Sequence, residues 1–176
     1  MVTWFSITRR DVLDLEAHIG IVLPRDYRTW LLEVGYGAGP YYGLFSPQRI
    51  AEELRYSERG TGGDVTDASK IDSTHLQRSL IAVREGGSPV GISANSLNGA
   101  VPVGEQGCGG YSHILVAGEF RGAMFGECEE VLPYQATPLT AFWPEAISRE
   151  PTADQHPLSF LQWLEHWLDT SIALVS

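Results

Sequence analysis

The chain has 176 residues, 43% of them apolar and 19% charged, a composition that excludes intrinsic disorder and suits one sizeable core. Twelve basic against 22 acidic side chains leave a formal net charge of −10. Such a field repels a phosphate backbone, which argues against direct nucleic-acid binding, and it attracts a basic protein partner, although acidity also serves solubility alone.

The chain opens on helices. Thr8 followed by Asp11 reads as a capping box, and Val12, Leu15 and Ile19 share one face of the helix that follows. Leu23 leads into Pro24, well placed as the first residue of a second helix. There Tyr27, Trp30, Leu31 and Val34 recur at helical spacing, and Gly35 supplies the stop. Four glycines and a proline between Gly35 and Phe45 forbid a regular helix and predict a turn running into a short extended segment. Ser46-Pro47 then caps a third helix through Ile50 and Leu54 to about Tyr56. From Ser57 to Ser73 the chain is polar and glycine-rich and reads as an exposed loop. A domain boundary there would leave an N-terminal unit with a thin core, so one domain over residues 1–176 is expected.

The period then changes. Short apolar runs at Leu80–Val83, Val90–Ile92 and Ala100–Val103 lie between glycine-rich turns. Ser112–Ala117 and Gly122–Cys128 read as a β-hairpin, and Val131–Tyr134 as a further strand. His156-Pro157 is expected to open a last helix with a broad apolar face from Phe160 to Leu168, ending near Asp169. Helices first, strands next and a helix last predict an α+β fold: a central, mostly antiparallel sheet of five or six strands, flanked by N-terminal helices and a C-terminal helix.

No run approaches the roughly 20 apolar residues of a membrane helix. Met1–Ser6 lacks the basic start of a signal peptide, so the expected compartment is the cytoplasm. Cys108 and Cys128 are then expected as free thiols. A nucleophile reading of Cys108 with His113 is weak: Gly107-Cys108-Gly109-Gly110 reads as a turn, which does not bring a base beside the thiol. His18, His75, His113, His156 and His166 are scattered, with no pair at metal-ligand spacing. The glycine-rich windows lack the Gly-Lys-Ser/Thr ending of a phosphate loop, and the first of them follows a helix where a dinucleotide fingerprint would follow a strand. No catalytic, metal or cofactor-binding residues are therefore expected. Two features suit protein binding: Tyr41 and Tyr42 in the glycine-rich turn, and the acidic cluster Glu127, Glu129 and Glu130 at a strand end. A packed tyrosine and a solvated turn are the plain alternatives.

Leu23-Pro24-x-x-Tyr27-Arg28-x-x-Leu31, then Gly35-x-Gly37-x-Gly39-Pro40-Tyr41-Tyr42-Gly43-Leu44, resembles the opening signature of the SUKH superfamily. Val101-Pro102-Val103 with Gly107-Cys108-Gly109, then Ile114-Leu115-Val116-x-Gly118 and Gly122, resembles its second. Ser159-Phe160-Leu161-x-Trp163-Leu164-x-x-Trp167-Leu168 is similar to its last helix. The likeness runs from Thr8 to Asp169 in order, with Phe125 standing where many members have tryptophan and no alignment over 57–100. The resemblance implies an α+β fold without cofactor or catalytic residues. For bacterial members it implies an immunity protein that binds and neutralises a cognate toxin, often a nuclease. A general interaction or regulatory module, as in the fungal branch, is the second reading, and a small hydrolase using Cys108 or Cys128 the third.

Overall fold

A computed structural model describes residues 7–40, 42–61, 99–107, 110–117, 121–127, 131–133 and 158–175. The described residues form four helices, α1 (Arg9–Ile19), α2 (Arg25–Glu33), α3 (Pro47–Thr61) and α4 (Phe160–Val175), and four strands, β1 (Ala100–Gly107), β2 (Gly110–Leu115), β3 (Met124–Glu127) and β4 (Val131–Pro133). The fold is α+β.

The helix ends follow local chemistry. Thr8 and Asp11 cap α1 reciprocally: Asp11 N donates to Thr8 Oγ1 at 3.3 Å and Thr8 N to Asp11 Oδ2 at 2.8 Å. The hydrogen bonds from the Thr8 side chain and backbone hold the Asp11 carboxyl below its usual range. Ser46 Oγ caps α3 by accepting from Arg49 N at 3.1 Å. Three boundaries differ from expectation. Pro24 is the residue before α2 rather than its first. Helix α3 continues to Thr61, through residues read as loop, because helix propagation costs little once a turn exists. Helix α4 starts at Phe160, since Ser159 and Gln162 form a second capping box (Ser159 N to Gln162 Oε1, 2.9 Å), and it runs on to Val175.

The sheet is antiparallel in the order β1-β2-β3-β4. The five or six strands expected from the sequence are corrected to four among the described residues, the last only three residues long. Short apolar runs between glycines do not by themselves specify strands. The runs at 80–83 and 90–92 lie outside the described residues, and just past the end of β2 Val116 N still donates to Gly99 O, at 2.7 Å, in line with the β1–β2 register. Beyond β4, the outer side of β3 is taken by the segment before α4, with Met124 N donating to Leu158 O at 2.9 Å.

Residues opposite one another across the ladder share a face. Val101, Ile114 and Met124 face the helices and join Val12, Leu15 and Ile19 of α1 in one apolar core. Helix α2 adds Tyr27 and Leu31, with Trp30 partly buried and Val34 exposed, so its apolar face is narrower than its periodicity suggested. Helix α4 adds Phe160, Trp163 and Leu164 but leaves Leu161 and Leu168 exposed. The Phe160 ring sits edge-on to Tyr27, centroids 4.9 Å apart, and this contact docks α4 on α2.

Candidate functional site

Of the tyrosines and glutamates marked for binding, Tyr42 is the one whose side chain is described, and it is 75% exposed. The turn that carries it is fastened by backbone hydrogen bonds. Gly43 N donates to Pro40 O, and Gly37 N to Leu44 O, both at 3.0 Å. Leu44 bridges Gly104 of β1, and Phe45 N donates to Val103 O at 2.8 Å. Gly43 has φ +88°, and a Cβ placed on it would stand 2.2 Å from Gly37 O, so the two glycine backbones touch where no side chain fits. A Cβ on Gly104 would in turn meet Gly43 O at 3.0 Å. The glycines that forbade a helix are thus the ones that fasten the turn to β1.

The sheet brings other residues to this end. In the ladder Glu105 stands opposite Tyr111, and Tyr111 opposite Glu127. Glu127, singled out in sequence as part of an acidic turn, therefore has its place in a row across three strands. Tyr111 reaches α3: its hydroxyl donates to Glu53 Oε2 at 3.3 Å, and its ring lies edge-on to Phe45 at 6.2 Å. Burial raises the Tyr111 phenol, and the carboxylates of Glu53 and Glu105 raise it further. Arg49 is paired with Glu53 at 2.5 Å, and its guanidinium lies 5.7 Å from the Phe45 ring centre. The bridge at Leu44 and Gly104 is antiparallel, so Tyr42, two residues before it, and Glu105, one after, leave it in the same direction.

Tyr41, Glu129, Glu130, Cys108 and Cys128 lie outside the described residues. His113 is buried in β2 opposite Pro102 and Phe125. Burial pushes its imidazole down to about 4, so it is neutral at neutral pH. Sequence reasoning missed Glu53, Glu105, Phe45 and Tyr111. The pairing of Glu105 with Tyr111 was within reach, because reading residues 107–110 as a turn sets the two strands opposite each other. The Tyr111–Glu53 bond, 58 residues apart, has no local signal. Set against protein-family models, curated proteins and solved structures, the chain matches none of them.

Proposed function

We propose that this chain is a SUKH-like bacterial immunity protein that acts in the cytoplasm. It binds a cognate toxin domain, a basic nuclease, and silences it by covering the active cleft, with no chemistry of its own. The observation that carries this reading is where the residues of the resemblance fall. Leu23, just before α2, and Tyr27 and Leu31 on it are buried, Gly37, Gly43 and Leu44 build the turn on β1, and Phe160, Trp163 and Leu164 form the docked face of α4. Phe125, the departure from the pattern, is fully buried, so an aromatic core position is kept with a smaller ring. These buried motif residues are framework. Partner choice then falls to the exposed surface, and a net charge of −10 favours a cationic toxin.

The test is association kinetics with the toxin encoded beside this chain, across a salt series. The on-rate should fall steeply between 0.1 M and 1 M salt, as the Debye length shrinks from about 10 Å to about 3 Å. Reversing Glu127, Glu129 and Glu130 to lysine should lower it further at low salt, with folding unaltered. A salt-independent on-rate would remove the electrostatic part of the reading. Absence of a complex would remove the immunity assignment and leave the general interaction module in its place.

A further inference from the structure

We propose that the outer face of α4 is the surface by which this chain docks its partner, and that the partner lays an amphipathic helix there whose apolar side is bordered by lysine or arginine. The proposal rests on the protein-binding reading above and goes beyond it by naming the face and the chemistry it receives. Ser159 and Gln162 cap the start of α4, Met124 N of β3 donates to Leu158 O just before it, and Phe160, Trp163 and Leu164 are buried in the core. Docking that side fixes where the rest of the helix points. Leu161, Leu168 and Ile172 are 39%, 41% and 60% exposed. At about 100° per residue they fall within about 40° of arc, in a stripe about 16 Å long. Among the described residues, three of the seven exposed large apolar side chains lie on this one stripe, where scattered single exposures would need no explanation.

The charge beside the stripe selects its occupant. Glu165 lies one helical turn after Leu161 and one before Leu168, and Asp169 one turn after Glu165 and one before Ile172; both are exposed. Helical geometry therefore sets the two carboxylates in a row along one border of the stripe. The whole helix, Phe160–Val175, carries neither lysine nor arginine, so no cation of its own neutralises that border. A second copy of this chain would bring the same carboxylates and the same net charge of −10 to the contact, and like charges oppose it. A partner helix with lysine or arginine beside its apolar stripe satisfies both halves at once: its apolar side chains cover Leu161, Leu168 and Ile172, and its cations meet Glu165 and Asp169. Because the face belongs to a helix already formed and docked, little order has to be imposed on it when the partner binds.

Two measurements test this. In amide NMR of the full chain, an amphipathic helical peptide of leucine and lysine should shift resonances along residues 161–172, and the matching peptide with glutamate for lysine should not. Leu168→Ser combined with Ile172→Ser should abolish the shifts at an unchanged melting temperature, whereas Leu13→Ser, at an exposed apolar position of α1, should preserve them. Shifts spread evenly over the acidic surface, equal binding of both peptides, or shifts persisting in the α4 variant would overturn the proposal. So would a dimer in sedimentation that the α4 variant dissociates, because the face would then belong to a second copy. With the toxin from the adjoining gene, the same double variant should weaken the complex by about tenfold or more, chiefly through faster dissociation. Glu165→Lys combined with Asp169→Lys should instead slow association at low salt. Undiminished binding by both α4 variants would overturn the docking face while leaving the immunity reading intact. Failure of the wild type to bind that toxin would overturn the immunity reading, and the peptide titration would still decide the face.

Discussion

Two tight reversals of this chain are held by opposite means. Between α1 and α2, side chains reach in to satisfy the backbone: Glu16, buried, accepts from Leu23 N at 3.0 Å and from Arg28 Nε at 2.9 Å. Arg121, far away in sequence, donates to Val22 O at 2.8 Å and Leu23 O at 3.0 Å. Between α2 and α3, backbone bonds backbone directly, and the condition is that side chains be absent at Gly43 and Gly104. Both arrangements meet the same demand, that polar backbone in a packed corner be paired. They differ in how they fail. The first breaks when a group is removed, the second when a group is added.

The largest effect should come from adding one methyl group. Gly43→Ala sets a Cβ 2.2 Å from Gly37 O at φ +88°, a carbonyl that has no side-chain freedom with which to yield. A loss of about 4 kcal/mol or more is expected in urea denaturation. A variant within 1 kcal/mol of wild type, again on the order-of-magnitude scale, would show that the turn can open without cost.

Removal at the other corner should cost somewhat less. Glu16→Ala leaves Leu23 N unbonded and the Arg28 guanidinium without its carboxylate, for about 3 kcal/mol. Glu16→Gln keeps an acceptor and should recover part of that. Equal loss in both variants would place the effect in charge rather than in the hydrogen bond to Leu23.

His113 offers a third treatment of a buried polar group: it stays neutral. Its folded value, about 4, lies below the ordinary 6.5, so the unfolded chain takes up the proton more readily. Stability is full above about pH 6.5 and falls as pH drops toward 4, by up to about 1.4 kcal/mol per pH unit and about 3 kcal/mol in all. His113→Gln should flatten that stretch of the stability-pH profile relative to wild type. An unchanged slope would mean that other groups carry it.

The smallest effect belongs to the longest reach. Arg121 is exposed as a residue, so solvent can replace part of what it gives, and Arg121→Ala should cost about 1–2 kcal/mol. Hydrogen exchange should localise the loss to the α1–α2 corner. Protection lost uniformly along the chain would argue against a local latch.

Much of this was legible in the residues themselves. The Thr8 and Asp11 capping box, the buried faces of α1 and α2, the stop at Gly35 and the hairpin of β2 with β3 all follow from interactions within a few positions of one another. So does the placing of Tyr42 in a turn, because glycine and proline act on their own φ and ψ. Other features were decided in three dimensions. The number of strands depends on which partner each apolar run finds, and the width of the α2 and α4 faces on what packs against them. The start of α4 at Ser159 had a local signal, the serine and glutamine of its capping box, and was passed over for a proline two residues earlier. Nothing near Glu16 in the sequence marks it as the acceptor for Leu23 N and Arg28, and Tyr111 bonds Glu53 from 58 residues away. Caps, turns and helix periods are short-range and are written in the sequence. Pairings between distant polar groups gain their strength only where the fold has already removed water, so tertiary structure alone settles them.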